Sequence, residues 1–307
     1  MYNFFFTAIS PQLKTMILDK LKQLPRITNA QYHAGKGVSK SQLDVLAMSP
    51  AHYHYRYLSG EYRDATTPTL EFGSAAHKYV LEFDDFFSEY CRVPADAPKP
   101  PTAQQVNAKK PSDDTLVSIK WWADFRKENA GKKPITEQEL ATLHAIRGAI
   151  FANKTARKLL AEGIAESSVY FTEPETGIDC RVRPDWYSSR DFIVDLKTTA
   201  SAAPRAFGYS AAKYRYHVQA AMYMDAMYHS FGEYPAGFVF IAVEKEPPYV
   251  TACYLATPSM LDAGGNAYLA DLRRLQECQQ SGEWPAFGDG LMDLRFPNYK
   301  NNDNNEQ

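Results

Sequence analysis

The chain has 307 residues, and its 34 Lys and Arg against 36 Asp and Glu give a formal net charge of −2. With 45% hydrophobic and 23% charged residues, the composition excludes a disordered or fibrous protein and allows one large α/β domain or two small ones. The near-neutral charge argues, at first sight, against a nucleic-acid partner, and no apolar run reaches the roughly 20 residues that span a bilayer.

The first half of the chain shows mainly helical patterns. Residues 1–30 form an N-terminal arm or extension in our interpretation, and a single domain follows over residues 31–295. Capping residues and the spacing of apolar side chains predict three helices in this half, over residues 39–46, 68–82 and 136–152. Ser49-Pro50 ends the first of them, because the residue before a proline avoids the helical conformation.

Two segments have the composition of a connection or a tail. Five prolines among small polar residues predict an irregular, mobile loop over residues 94–114. The last residues, 296–307, form a polar tail that we expect to be frayed.

The pattern becomes strand-like from residue 167 onward. Residues 167–172 are rich in β-forming side chains, apolar and polar residues alternate over 178–183, and 192–197 form a short apolar strand. The remaining predicted elements are a helix over 210–229, strands near 237–243 and 250–255, and a last helix over 259–280. This order favours an α/β (α+β) fold, in which helices flank a central mixed β-sheet and a helical N-terminal part packs against it.

Two acidic residues and a lysine stand out at the predicted central strand. Asp185 follows Pro184, and ten residues later Asp195 interrupts the apolar run. Lys197 comes two positions after Asp195, so the alternation of a strand places both side chains on one face. Carboxylates that converge beside an ammonium group suit a hard divalent cation and an activated water, although a lone D-x-K is more often surface decoration.

The spacing P-D-x9-D-x-K resembles the core motif of the PD-(D/E)XK nuclease superfamily, and three further motifs resemble its RecB-like branch. The segment GSAAH at residues 73–77 is similar to a G-x-x-x-H helix motif, and QAAMY at 219–223 is similar to a Q-x-x-x-Y motif. Residues 39–53 resemble the N-terminal S-x-S-x-L and P-x-x-Y block. All of them occur in the family order, and the pattern as a whole is most similar to the RecE-like exonucleases.

The resemblance implies roles for individual residues. The implied metal ligands, for Mg²⁺ or Mn²⁺, are His77, Asp185, Asp195 and the backbone carbonyl of Leu196. The implied catalytic residues are Lys197, Glu166, Gln219, Asp185 and Asp195. The candidates for DNA contacts are Ser41, Arg56, Arg181, Arg183 and Tyr223.

Simpler interpretations stay open for several of these residues. His77 could be a core histidine, and Glu166 could be a solvated acid at a strand edge. Tyr223 could belong to the core while Gln219, one helical turn earlier, faces the site. The three arginines could be ordinary surface charges.

The cysteines and loops exclude two cofactors. Several RecB-like relatives hold an iron–sulfur cluster with a cysteine before the N-terminal proline, where this chain has Ser49. The cysteines are too few and too scattered for a cluster or a disulfide scaffold, at Cys91, Cys180, Cys253 and Cys278. We therefore expect reduced thiols, a cytoplasmic location and no iron–sulfur cluster. A P-loop is missing from the sequence, which argues against ATP.

The resemblance also implies an activity and partners. It implies a metal-dependent exonuclease that digests one strand of linear double-stranded DNA in the 5′→3′ direction. The resulting 3′ tail would serve recombination with a single-strand annealing protein of the RecT kind, and the enzyme would be a homo-oligomer, with a ring-shaped tetramer as one form. The alternatives are a non-catalytic DNA-binding or assembly module and a RecB-like nuclease of other polarity or endonucleolytic action.

The distribution of charge removes the objection raised by its sum. Residues 1–60 hold seven basic and two acidic groups, and residues 181–217 hold seven basic and three acidic groups. Residues 61–98 reverse this balance, with three basic and eight acidic groups. DNA binding depends on where charges lie, so a near-neutral chain is compatible with a DNA substrate.

Overall fold

The structure is a computed structural model that describes residues 11–63, 67–288 and 290–292. The helices within these residues are α1 (Pro11–Gln23), α2 (Asn29–Ala34), α3 (Lys40–Met48), α4 (Pro50–Tyr57), α5 (Pro68–Leu81), α6 (Phe86–Glu89), α7 (Ala103–Val106), α8 (Asp113–Glu128), α9 (Glu137–Ala152), α10 (Lys154–Leu159), α11 (Pro204–Lys213), α12 (Tyr216–Phe231) and α13 (Pro258–Ser281). The strands are β1 (Tyr90–Arg92), β2 (Lys133–Ile135), β3 (Gly163–Ala165), β4 (Val169–Thr172), β5 (Asp179–Val182), β6 (Trp186–Ser188), β7 (Phe192–Thr199), β8 (Gly237–Glu244) and β9 (Thr251–Leu255).

The central sheet has five strands in the order β3-β6-β7-β8-β9. Its two longest strands, β7 and β8, run parallel along their whole length, and the other pairs are antiparallel. The predicted central mixed sheet flanked by helices is therefore confirmed. The pattern over residues 167–183 forms strands as predicted, but β4 and β5 pair with each other in a separate two-stranded sheet.

Apolar side chains cover both faces of β7 and β8. On one face, Phe238 and Phe240 of β8 belong to a core cluster with the buried residues of α12 and α13. On the other face, Val194 and Leu196 of β7 belong to a second cluster with Ile146 of α9. Since side chains alternate along a strand, Asp195 and Lys197 must face the α12 side.

The N-terminal helix α1 is part of the main core. Its Ile17, Leu18 and Leu21 are buried in the same cluster as α12 and α13. The predicted arm over residues 1–30 is therefore wrong for helix α1, because its apolar face packs against the domain. Residues 1–10 and the predicted tail, 296–307, lie outside the described residues.

The proline-rich segment is held in place by a helix that the sequence pattern did not reveal. Trp122 of α8 donates a hydrogen bond from Nε1 to the Pro98 carbonyl at 2.8 Å, and Ser118 Oγ donates one to the Lys99 carbonyl at 2.7 Å. The segment also contains the short helix α7. The prediction of an irregular loop over the whole of 94–114 is thus too broad.

The helix predicted over 210–229 is two helices with a break at Tyr214 and Arg215. Arg215 adopts a left-handed conformation, with φ of 53°. Its guanidinium is fixed by Asp44 of α3 at 3.3 Å and Asp271 of α13 at 2.5 Å. The break contains neither glycine nor proline, so local sequence signals could not predict it.

One further property concerns membranes. Across the residues that the structure describes, no helix has the length and the apolar character that crossing a bilayer requires.

Candidate active site

The two acidic motif residues meet where β6 begins beside β7. Asp185 immediately precedes β6, and its Oδ2 accepts a hydrogen bond from the Leu196 N–H of β7 at 2.8 Å. Asp195 is the fourth of eight residues in β7, so it lies inside the strand instead of at the predicted strand end. The strand continues two residues beyond Lys197, to Thr199.

Three side chains from different elements form a candidate metal site. His77 of α5, Glu166 and Asp185 each offer a ligand atom, and these atoms lie within 4.8 Å of one another. His77 Nδ1 is 3.3 Å from Asp185 Oδ2. A Cβ at Gly73, one turn before His77, would meet no described atom within 4 Å, so glycine there keeps the cleft in front of the site open.

Glu166 is held in place by the backbone and by Arg183. It follows β3 in a left-handed conformation with φ of 54°, which costs a non-glycine residue about 1–3 kcal/mol. Its N–H donates to the Asp185 carbonyl at 3.2 Å, and Arg183 Nε lies 2.8 Å from its Oε2. Arg183 also donates to the carbonyls of Glu166 and Ile27, at 3.1 and 3.2 Å. Backbone strain of this kind persists where several contacts fix the residue, as they do here.

Asp195 lies outside the cluster of three potential ligands, which differs from its predicted role as a ligand. Its Oδ1 accepts a hydrogen bond from Gln219 Nε2 of α12 at 2.6 Å, and its Oδ2 lies 2.6 Å from Lys197 Nζ. The carboxylate is buried. These two contacts turn it toward the lysine and the amide, on the α12 side of the sheet.

The donor set fits a hard divalent cation. Two carboxylates and an imidazole provide the oxygen and nitrogen ligands that Mg²⁺ or Mn²⁺ accepts. Asp195 Oδ2 is buried and has no hydrogen-bond partner in the described part of the chain, because the Lys197 contact lacks hydrogen-bond geometry. The N–H and C=O of one strand residue point to the same side, so the Leu196 carbonyl also faces the Asp185 edge. Asp195 Oδ2 and this carbonyl remain candidate additional ligands.

The electrostatics of the site keep its two central acids ionised at neutral pH. Burial would raise the pKa of Asp185, but the positive His77 and its hydrogen bond hold that pKa below its usual range. Burial raises the pKa of Asp195 to about 6, against the opposing charge of Lys197. Burial would lower the pKa of Lys197, but Asp195 and Asp185 raise it above its ordinary value. The lysine is therefore charged beside two carboxylates.

The other two cluster members titrate at higher pH. Burial alone would lower the pKa of His77, but Asp185 outweighs it and raises the pKa to about 9. Burial, helped by the Asp185 charge, raises the pKa of Glu166 to about 7. Both groups must lose their protons before they can bind a cation.

Metal binding at this site should release protons. At pH 7.5, where His77 is mostly protonated and Glu166 partly so, we expect about one proton to leave per cation bound. Affinity should weaken as pH falls through about 9 and again through about 7. Calorimetric titration with Mn²⁺ in buffers of different ionisation enthalpy measures the number released. His77→Gln should reduce it, and binding without any proton release would contradict the assignment.

The predicted DNA-contact residues have varied positions. Arg181 is buried, and its guanidinium donates to the backbone carbonyls of His33, Gly35 and Gly37, so it braces the N-terminal segment and does not fit a DNA contact. Tyr223 is buried in the core, one turn after Gln219, with its ring against Phe238. Core packing thus explains both residues better than substrate binding does.

Two of the remaining candidates lie on the surface and one lies at the site. Ser41 is exposed near the start of α3, with its Oγ 3.0 Å from Ser39 Oγ. Arg56 is exposed on α4, with its guanidinium 4.8 Å from the Tyr62 ring centroid. Arg183 lines the cleft beside Glu166.

A cleft of about 1320 Å³ opens onto the metal site. Sequence reasoning missed most of its basic and aromatic lining, which comes from distant elements: Arg26, Lys40, Lys213, Tyr214, Arg215, Tyr216 and Lys245. Lys40 adjoins the predicted motif at residues 39–53, and its Nζ contacts Asp44 at 2.7 Å and the Tyr214 carbonyl at 2.6 Å. The other lining residues carry no spacing signal, because only the fold brings them together.

Comparisons with known proteins agree with this geometry. Residues 39–291 match the family described as a PDDEXK-like domain of unknown function (DUF3799). The fold is similar to the crystal structure of a "Putative exonuclease" from Eubacterium rectale, with a TM-score of 0.59, 16% sequence identity, and coverage of 89% of this chain and 96% of that one. No curated protein matches the sequence. The family match covers most of the chain and includes every motif of the site, so the protein belongs to the PDDEXK-like family DUF3799.

Proposed function

We propose that the protein is a divalent-metal-dependent deoxyribonuclease that hydrolyses phosphodiester bonds. One observation supports this most: His77, Glu166 and Asp185 converge beside the buried Asp195–Lys197 pair, at a cleft with a basic lining. Few other reactions need hard-cation ligands, a fixed ammonium group and a cationic groove at one place. Phosphodiester hydrolysis needs all three.

The residues of the site divide the work between them. His77, Glu166 and Asp185 would hold a Mg²⁺ or Mn²⁺ ion, which neutralises charge on the scissile phosphate and helps to activate water. Lys197 offers a fixed positive charge to the phosphate and to the attacking water. Asp195 keeps that lysine charged and oriented.

Gln219 and the sheet keep this arrangement rigid. The Gln219 amide donates to Asp195 Oδ1, which leaves Oδ2 facing Lys197. Arg183 fixes Glu166 in the same way. A site whose ligands are each braced by a second hydrogen bond loses little free energy to reorganisation when substrate arrives.

The finer assignment rests on the motif order. The pattern most similar to RecE-like exonucleases supports 5′→3′ digestion of linear double-stranded DNA that leaves a 3′ tail for recombination. It also supports a partnership with a single-strand annealing protein of the RecT kind, and a homo-oligomer such as a ring-shaped tetramer. The likeness to the Eubacterium rectale exonuclease structure is in keeping with exonucleolytic action.

End-labelled linear duplexes test the activity and its polarity together. With Mg²⁺ present, we expect mononucleotides to be released from the 5′ end and none with a chelator. Duplexes with a 5′-phosphate, a 5′-hydroxyl or blocked ends report end recognition. A covalently closed circle of the same sequence should stay intact.

Other results would point to the alternatives. Cleavage of the circle would indicate endonucleolytic action, and release from the 3′ end would indicate the opposite polarity. Tight duplex binding without cleavage, in Mg²⁺ and in Mn²⁺, would overturn the enzyme assignment in favour of a DNA-binding module. Light scattering of the pure protein gives the oligomeric state, and a monomer would exclude the ring.

A further inference from the structure

Two tyrosines line the cleft at the break between α11 and α12. The rings of Tyr214 and Tyr216 stack, with centroids 5.9 Å apart and planes at 25°. Lys197 Nζ lies 4.9 Å from the centroid of the Tyr216 ring. These two distances place Tyr214 within about three nucleotides of Lys197, given the ~3.4 Å rise per nucleotide along one DNA strand.

The two rings differ in their surroundings. Tyr216 also stacks on Phe240 of the central sheet, with ring centroids 5.5 Å apart. Tyr214 lines the cleft and is 52% exposed. The inner ring is therefore anchored by the core, whereas the outer ring presents an aromatic surface to whatever occupies the cleft.

The helix break fixes the position of the outer ring. Arg215 holds its left-handed conformation between Asp44 and Asp271, and Lys40 Nζ donates to the Tyr214 carbonyl at 2.6 Å. A continuous helix would spare this strain. Strained residues that several ion pairs hold in place are concentrated at functional sites.

We infer that Tyr214 is a stacking platform for an unpaired nucleobase of the strand being cut. Proteins hold single-stranded nucleic acid by combining aromatic rings, on which bases stack, with nearby cations that take the phosphates. Lys213 Nζ lies 5.4 Å from the Tyr214 ring centroid, and Lys40 lies in the same wall. The inference rests on the proposed nuclease function and adds that the duplex end is opened before cleavage, because a paired base already stacks on its neighbours.

Abasic substrates test this platform directly. Linear duplexes carry a single tetrahydrofuran in place of one of the first few nucleotides at either end. For wild type, we expect kcat/KM to fall about tenfold when the base that meets Tyr214 is missing. Tyr214→Leu should lose about the same factor on the intact duplex, and no more on that abasic duplex. Tyr214→Phe, which keeps the ring, should recover most of the loss.

A matched control separates the platform from general effects of the surface. Tyr209 of α11 is also an exposed tyrosine, at 58%, but it does not line the cleft. Tyr209→Leu should show the wild-type response to every abasic position. Equal losses in both leucine variants, or a Tyr214→Leu loss that multiplies with the abasic loss, would overturn the platform while leaving the nuclease intact. Absence of wild-type cleavage of every duplex would instead overturn the nuclease proposal, and the platform with it.

Discussion

Replacing Lys197 with methionine should reduce kcat for DNA cleavage by about 10²–10³-fold. The methionine side chain has a similar length and fills the same buried space, so the change removes mainly the charge that faces Asp195. Metal affinity should change little, because Lys197 is not among the ligand atoms. Single-turnover cleavage of a labelled duplex and calorimetry with Mn²⁺ measure the two effects separately.

The same variant has an expected signature in stability. Without the ammonium group, the buried Asp195 loses the charge that opposes its desolvation, so its pKa should rise further above about 6. A carboxyl group whose folded pKa is raised stabilises the protein at low pH, and that contribution is lost as pH rises. The melting temperature of Lys197→Met should therefore approach the wild-type value at acidic pH and fall below it at alkaline pH.

Lys120 provides the control for this variant. It is an exposed lysine on α8 that pairs with Asp124, far along the chain from the motif. Lys120→Met should cleave DNA and melt like the wild type at every pH. Wild-type cleavage by Lys197→Met would show that the reacting phosphate lies elsewhere.

Replacing Asp185 with asparagine should abolish both metal binding and cleavage. The carboxylate is the one group that contacts His77 and the β7 backbone together. A catalytic cation supplies several kcal/mol to the transition state, which corresponds to a loss of about a thousandfold or more. Wild type should melt at a higher temperature when Mn²⁺ is added, and Asp185→Asn should not.

An independent readout of this variant comes from His77. With its carboxylate partner gone, burial should dominate, and the His77 pKa should fall well below about 9. NMR titration of the imidazole in the metal-free protein measures this shift. Asp124→Asn, which changes an exposed acid, serves as the matched control. An unchanged His77 pKa together with full metal binding would refute the assigned site.

The sequence allowed the fold class and much of the site to be predicted. The D-x-K spacing placed Asp195 and Lys197 on one face of a strand, because strand alternation is a local property. Helical spacing likewise placed Gln219 toward the site and Tyr223 toward the core. Local periodicity was sufficient for these residues.

The errors arose where tertiary contacts decide the outcome. Arg181 looks like a surface charge in the sequence, yet three backbone carbonyls bury it. The break at Arg215 depends on ion pairs with residues more than 50 positions away, Asp44 and Asp271. Glu166 replaces Asp195 in the ligand cluster because of its left-handed backbone and its contact with Arg183. None of these can be read from neighbouring residues.

The position of β7 between two apolar layers has a consequence for how the protein fails under stress. Val194 and Leu196 are buried against one layer, while Ile193 and the site residues face the other. The strand that carries Asp195 and Lys197 therefore cannot melt by itself, since its exposure would open both layers at once. Heat should remove activity and tertiary structure in one cooperative step, with little loss of function at temperatures where the fold is intact.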